Sequence, residues 1–173
     1  DFSHWQHRLF LSGVIKKQEE YWLERFKGDV PLLNFPLDYR RPTVYTADGK
    51  SLFFEIDREM SARLKDLVKE TRTTMYIALL AVYTILLSRY SRQEDIVVGT
   101  PIAGRRQADL ENIIGLFINM LPMRNQPAGE KTFNQFLLEV KANALDAYEN
   151  QDFQFENLVW TLNLKVEPGR NPL

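Results

Sequence analysis

The chain has 173 residues, a formal net charge of −1 and 45% hydrophobic residues, which suits one domain, or a large piece of one, with a substantial core. The near-neutral charge offers no general attraction for nucleic acid or an anionic membrane. The absence of Cys excludes disulfides, thiolate catalysis and Cys-ligated zinc within these residues. Asp1-Phe2-Ser3-His4-Trp5-Gln6 is amphipathic and has no apolar signal core. The most apolar stretch, Met75 to Leu87, is shorter than the roughly 20 residues of a spanning helix. A soluble, cytoplasmic protein is therefore expected. A start without Met and a finish at Pro172-Leu173 are read as signs of a piece of something longer.

In chain order, a first helix is expected from Asp1 to Phe10. Ser12 is read as the N-cap of a second, which runs to about Lys27 and stops at Gly28. There Ile15, Trp22 and Phe26 form a stripe, with Gln18 and Tyr21 beside it and Lys16, Lys17, Glu20 and Glu24 on the wet face. Leu32 to Pro42 is punctuated by Pro and is expected to run extended. Asp48-Gly49 signals a turn, and Ser51 to Ile56 reads as a strand.

Asp57 is then placed to cap a helix through Leu64, Leu67 and Val68. Thr73 or Thr74 starts another, Met75 to about Tyr90, apolar on nearly every side and so expected to pack on more than one face. Ile96 to Gly99 reads as a buried strand, Asp109 to Glu111 as a short helical turn, and Leu116 to about Arg124 as a second strand. Lys131 to Tyr148 is amphipathic, with Phe133, Phe136, Leu137, Val140 and Leu145 towards one side. A short helix from Phe155 to Leu162 closes the pattern. Helices alternating with strands across long connections argue for an α/β (α+β) sandwich.

Candidate chemistry is sparse. His4 and His7, three apart on a helix, lack a third metal ligand, and no nucleophile elbow or triad is visible. Gly99-Thr100-Pro101-Ile102-Ala103-Gly104-Arg105-Arg106 has the glycine spacing of a phosphate loop. It lacks the Lys and the magnesium-binding hydroxyl, and Pro101 removes a backbone donor, so a strand exit that needs Gly is the better reading. Asp57, Glu59, Asp66 and Glu70 lie on a solvated helix face without the pairing that acid–base catalysis needs. Asn119 stands apart. An amide inside the apolar run Leu116 to Leu121 must find partners, so it either ties two strands together or faces a cavity. Asp152, in the polar-aromatic cluster Gln151 to Glu156, is expected to cap the last helix.

Six segments, in order, resemble the condensation domains of non-ribosomal peptide synthetases. They are Asp1-Phe2-Ser3-His4-Trp5-Gln6; Tyr21-Trp22-Leu23 with Phe35-Pro36-Leu37-Asp38-Tyr39-Arg40-Arg41-Pro42; Val98 to Arg105, similar to a Gly-Thr-Pro-x-Ala-Gly-Arg exit; Ile114-Gly115-Leu116-Phe117-Ile118-Asn119; Asn150 to Glu156, similar to His-Gln-Asp-x-Pro-Phe-Glu; and Arg170-Asn171-Pro172-Leu173. Met120, Asn150 and Gln154 depart from the family's Thr, His and Pro. The family's His-His-x-x-x-Asp-Gly motif does not occur in the sequence.

The resemblance implies a chloramphenicol acetyltransferase-like lobe, a mixed sheet with helices packed on it. Residues 1–173 would be part of one condensation domain, comprising the linking helix and most of the C-terminal lobe, with the N-terminal lobe and its catalytic His elsewhere. It further implies an amide-forming enzyme of antibiotic or other secondary metabolism. No cofactor would bind directly, the substrates arriving on phosphopantetheine arms. The expected partners are donor and acceptor peptidyl carrier proteins, an adjoining adenylation domain and the missing N-terminal lobe. Asn119, Thr100 and Arg105 are the residues expected at the substrate channel, the last two also as contacts for the arm's phosphate. Gly99, Pro101, Gly115, Gln151 and Asp152 are expected to be structural, and no residue of the chain is assigned as catalytic. The alternatives are an epimerization-type domain of the same superfamily and a non-catalytic docking lobe for carrier proteins.

Overall fold

Two helices in series, α1 (Phe2–Leu11) and α2 (Val14–Arg25), lead into the rest of the chain. The computed structural model describes residues 2–39, 49–164 and 171–173. Asp1, Arg40 to Pro42, Asp48 and Arg170, which figure in the sequence expectations, lie outside them. The boundary between α1 and α2 differs from the expected one. Ser12 folds its hydroxyl back onto the Leu9 carbonyl at 2.7 Å. Gly13 takes the N-cap position of α2 at φ 74°, a left-handed conformation that glycine adopts without steric cost.

Helix α2 buries Ile15, Gln18 and Trp22, and its C-cap residue Phe26 is buried with them, the stripe a 3.6-residue period predicts. Full burial of each large apolar side chain stabilises the fold by about 1.5–3 kcal/mol. Chain 31–37 has no regular structure, as its prolines require. Ser51 to Ile56, read as a strand, is not one here. A strand exists only with a hydrogen-bonded neighbour, and none of the described chain pairs with it.

Helix α3 (Arg58–Glu70) is capped by Asp57, whose carboxylate accepts from the Met60 amide at 2.7 Å. Helix α4 (Met75–Ser91) is capped by Thr74 through the Ile77 amide at 3.2 Å. Strand β1 (Ile96–Ile102) exits into a short 3₁₀ turn at Ala108–Leu110, and β2 (Asn119–Asn125) returns antiparallel to it. Helix α5 (Phe133–Glu149) opens with a reciprocal Thr132–Gln135 capping box, and α6 (Phe155–Thr161) follows.

Among the described residues the sheet is this one antiparallel pair, with Thr100 opposite Leu121 and Ile102 opposite Asn119. Both strands run beyond or short of expectation. β1 continues past Gly99 to Ile102, whereas β2 starts three residues late, leaving Leu116 86% exposed. Pro101 and Pro122 sit in pairs of the same parity, opposite Met120 and Gly99, which lets both turn their nitrogens away from the ladder.

The core lies between this pair and the helices. Leu121 and Met123 meet Phe136, Leu137, Val140 and Ala144 of α5, with Ala78 and Ala81 of α4 and Trp22 and Phe26 of α2. Leu145, expected inside, is exposed, and Ala144 takes the inward position. α4 is buried on one face only. Ile77, Leu80, Ala81, Thr84 and Leu87 point in, while Leu79, Val82, Tyr83 and Leu86 are exposed, contrary to packing on more than one face. No single helix among the described residues is long and apolar enough to cross a membrane.

Candidate functional site

Where β1 ends, the chain turns at Gly104, held at φ 63°. A Cβ there would overlap the carbonyl oxygen of Phe117, so this position needs glycine for conformation and for space. The next residue closes the loop. Arg105 donates to the carbonyls of Leu110 and Gly115, and its guanidinium lies 4.1 Å from the Phe117 ring centroid. Phe117 in turn meets Phe2 of α1 edge-on at 4.7 Å. A Cβ at Gly115 would come within 3.1 Å of the Phe117 ring. The glycines and arginine of the two motifs thus fold one loop around one aromatic residue.

Asn119 opens β2 with its side chain buried. Its Nδ2 donates to the carbonyls of Gln151 at 2.9 Å and Phe153 at 3.0 Å. Its Oδ1 accepts from the amides of Met120 at 2.8 Å and Phe155 at 3.2 Å. The amide therefore ties β2 to the junction between α5 and α6, rather than to a second strand. It also lines a cavity of about 150 Å³ with Phe2, Trp5, Arg106, Phe117 and Asp152.

The same junction is gripped from α2. Gln18, buried on the apolar stripe, donates to the Asp152 carboxylate at 3.1 Å and accepts from the amides of Asp152 and Phe153, both at 2.9 Å. Arg106 completes the set with an ion pair to Asp152 at 2.8 Å. Asp152 does not cap α6, whose N-cap residue is Gln154 and makes no side-chain capping bond. Its carboxylate goes instead to two partners far away in sequence. Gln151 bonds through its side chain to the Tyr148 carbonyl and through its own carbonyl to Asn119. Trp22 adds a bond from its indole N–H to the Asn150 carbonyl at 2.9 Å.

Thr100 is buried on the core face of β1 and shares a 2.6 Å hydrogen bond with the Tyr76 hydroxyl of α4. Burial pushes the Tyr76 phenol up from its ordinary range, opposed by that bond. Burial likewise raises Tyr148, with Tyr76 nearby adding to it. Gly99 and Pro101 lie on the opposite face of the strand and are exposed; a Cβ at Gly99 would meet the Met120 sulfur at 3.3 Å.

The fold thus brings Asn119, Gln151, Asp152 and Arg106 around one cavity, sets Arg105 beside it, and turns Thr100 towards α4. Gln18, Arg106 and Tyr76 were not singled out in the sequence. A polar Gln on an otherwise apolar stripe was the one available signal. His4 and His7 are exposed on α1, and among the described residues no group of three acidic or His side chains could hold a metal. The arrangement builds a shaped, hydrogen-bonded wall and contains no nucleophile–base pair.

The condensation-domain family model matches residues 1–173. The chain is 53% identical to tyrocidine synthase 3 of Brevibacillus parabrevis and 49% identical to bacitracin synthase 3 of Bacillus licheniformis, each over all 173 residues. It spans 3% of the length of each of these synthases. Among solved structures, the X-domain in its complex with OxyB from teicoplanin biosynthesis superposes with a TM-score of 0.90 at 27% identity, covering 99% of this chain and 39% of that one. The four-domain non-ribosomal peptide synthetase holo-AB3403 gives 0.86 at 28% identity, covering 90% and 12%. With a family model matched from end to end and half of its residues shared with peptide synthases, the chain belongs to the condensation-domain family.

Proposed function

We propose that residues 1–173 are part of a peptide synthetase domain that forms an amide between two carrier-bound substrates. The donor is an acyl, aminoacyl or peptidyl thioester and the acceptor an aminoacyl group, each on the phosphopantetheine arm of a carrier protein. The end-to-end family match carries this reading. In the reaction the acceptor nitrogen attacks the thioester carbonyl and a tetrahedral oxyanion forms. The C–N bond is kept, the C–S bond breaks, and the amine's proton goes to the departing thiolate. A positioned base and donors aimed at the oxyanion lower such a barrier.

This chain's part in that reaction is a channel wall. Asn119 fixes the α5–α6 junction, Arg105 fixes the loop after β1, and Thr100 fixes the start of α4, so all three shape the wall through bonds within the chain. Arg105 is also the proposed contact for the arm's phosphate, whereas Thr100 is buried against Tyr76 and shapes the wall only from within. An N-terminal lobe with the His-His-x-x-x-Asp-Gly motif, two carrier proteins and an adjoining adenylation domain complete the assembly, and the cytoplasm is its proposed compartment. His4 and His7 are the only histidines and are not adjacent, so residues 1–173 alone are expected to form no amide. Loaded donor and acceptor carriers are incubated with the fragment and with the intact parent domain, and product is sought by mass spectrometry. Amide from the intact domain only is expected; amide from the fragment would overturn the assignment of the catalytic group to the other lobe.

The likeness to the X-domain, which forms a complex with OxyB, favours one second reading, a lobe that docks a partner. Under that reading the intact domain would bind its partner and yield no amide in the same assay.

A further inference from the structure

Three aromatic rings converge on the loop that the two glycine motifs build. The ring centroids of Phe2 and Trp5 of α1 lie 5.5 Å apart, Phe2 meets Phe117 at 4.7 Å, and all three rings line the cavity beside Asn119. None of the three is fully buried, and α1 buries no residue at all. Leu116 and Ile118, 86% and 60% exposed, line the same recess. Exposed apolar side chains are ordinarily scattered singly over a surface, whereas their convergence on one concave site marks a place for a ligand. The wall is also held in one orientation. Arg105 lies over the Phe117 ring and bonds two carbonyls of the loop.

The polar floor decides the chemistry of the guest. Asn119 has all four hydrogen-bonding positions taken within the chain. The only charged residues among the described lining, Arg106 and Asp152, pair with each other at 2.8 Å, and Asp152 also accepts from Gln18. A charged guest would leave water for a floor with no counter-charge to spare, a cost that an uncharged guest does not bear. An apolar guest meets rings, whose edge and face contacts favour a further ring. Volume sets the size. The recess holds about 150 Å³, and an apolar cavity of about that volume takes one benzene ring.

We propose that this recess receives the uncharged side chain of one of the two residues being joined, a single ring or a branched aliphatic chain. The proposal rests on the amide-forming reading, in which Asn119 and its neighbours shape the channel wall, and adds to it a selection by side-chain size and charge. Leu9 of α1 lines the recess and packs on the core, so it is the position at which the volume is varied.

The test uses the intact parent domain and two series of loaded carriers. The donor in one series, and the acceptor in the other, carries Gly, Leu, Phe, Trp or Glu, while its partner carries Ala. In the series that uses the recess, kcat/KM for Leu and Phe is expected to exceed that for Gly and Glu at least ~10-fold. Leu9→Phe, which narrows the recess, is expected to lower the Phe-to-Gly ratio at least ~10-fold, and Leu9→Ala, which widens it, to raise the Trp-to-Phe ratio. Ratios are read rather than rates, so a general loss of activity does not imitate the effect. Ratios that move in the donor series alone assign the recess to the donor residue, and in the acceptor series alone to the acceptor. Ratios that move in neither series, or equally in both, overturn the proposal and leave the amide-forming reading standing. No amide from any pair overturns both. If neither Leu9 variant folds, the unmodified domain decides: preference for Leu and Phe supports the recess, and its absence overturns it.

Discussion

Asn119 uses its whole hydrogen-bonding capacity inside the chain. Both amide hydrogens and both acceptor sites are taken up, and the four partners belong to Met120 and to the junction at Gln151, Phe153 and Phe155. Replacing it by Ala strands two carbonyls and two backbone amides in a largely buried setting, which costs on the order of 1–3 kcal/mol. In the intact domain, Asn119→Ala is expected to lower the urea midpoint accordingly while turnover per folded molecule stays unchanged. Lost turnover at unchanged stability would instead make Asn119 a substrate contact. An amide in an apolar run is visible in the sequence as a group that must be satisfied. Three of its four partners are not, because they lie 32 to 36 residues further on. Asp152 shows the same limit. Its local sequence suggests a helix cap, but a glutamine 134 residues away takes the carboxylate.

At the level of elements, what local chemistry decides was legible and what distant chain decides was not. Asp57 and Thr74 cap their helices through bonds three residues long, and the apolar periods of α2 and α5 place the inward stripes to within one residue. Ser51 to Ile56 has the composition of a strand, yet pairing is a property of two segments, and no described segment pairs with it. The end of α2 is held in a similarly long-range way. Arg124 of β2 grips Asp95 through Nε and Nη2 and donates to the carbonyls of Arg25 and Asp29, with the Phe26 ring 5.6 Å from its guanidinium. Lys supplies a point charge without the planar fork. Arg124→Lys is therefore expected to destabilise the intact domain by about 1–3 kcal/mol and to increase exchange at the C-terminal turn of α2 while leaving α5 unchanged. Equal loosening of both helices would contradict this anchoring.

Across the whole molecule, three partly buried phenols set an alkaline limit. Burial pushes Tyr21 up from its ordinary 10.0 to about 12, with Arg25 opposing the shift and Asp146 adding to it, and Tyr76 and Tyr148 move in the same direction. The folded state holds these protons more tightly than the unfolded chain. Their contribution to stability is therefore complete below pH 10 and is lost as pH rises towards 12. The denaturant midpoint is expected to decline through that window, and Tyr21→Phe should make the decline shallower. A midpoint that is level from pH 10 to 12 would contradict the assignment.

The bond between Gln18 and Asp152 also sets a schedule. These residues are 134 positions apart, and synthesis at about 5–20 residues per second separates their appearance by roughly 7–27 s. For that interval the nascent chain carries Trp22 and Phe26 on a helix whose seat has not yet been translated. Slow codons after residue 30 lengthen that exposure, whereas slow codons after residue 155 leave it unchanged.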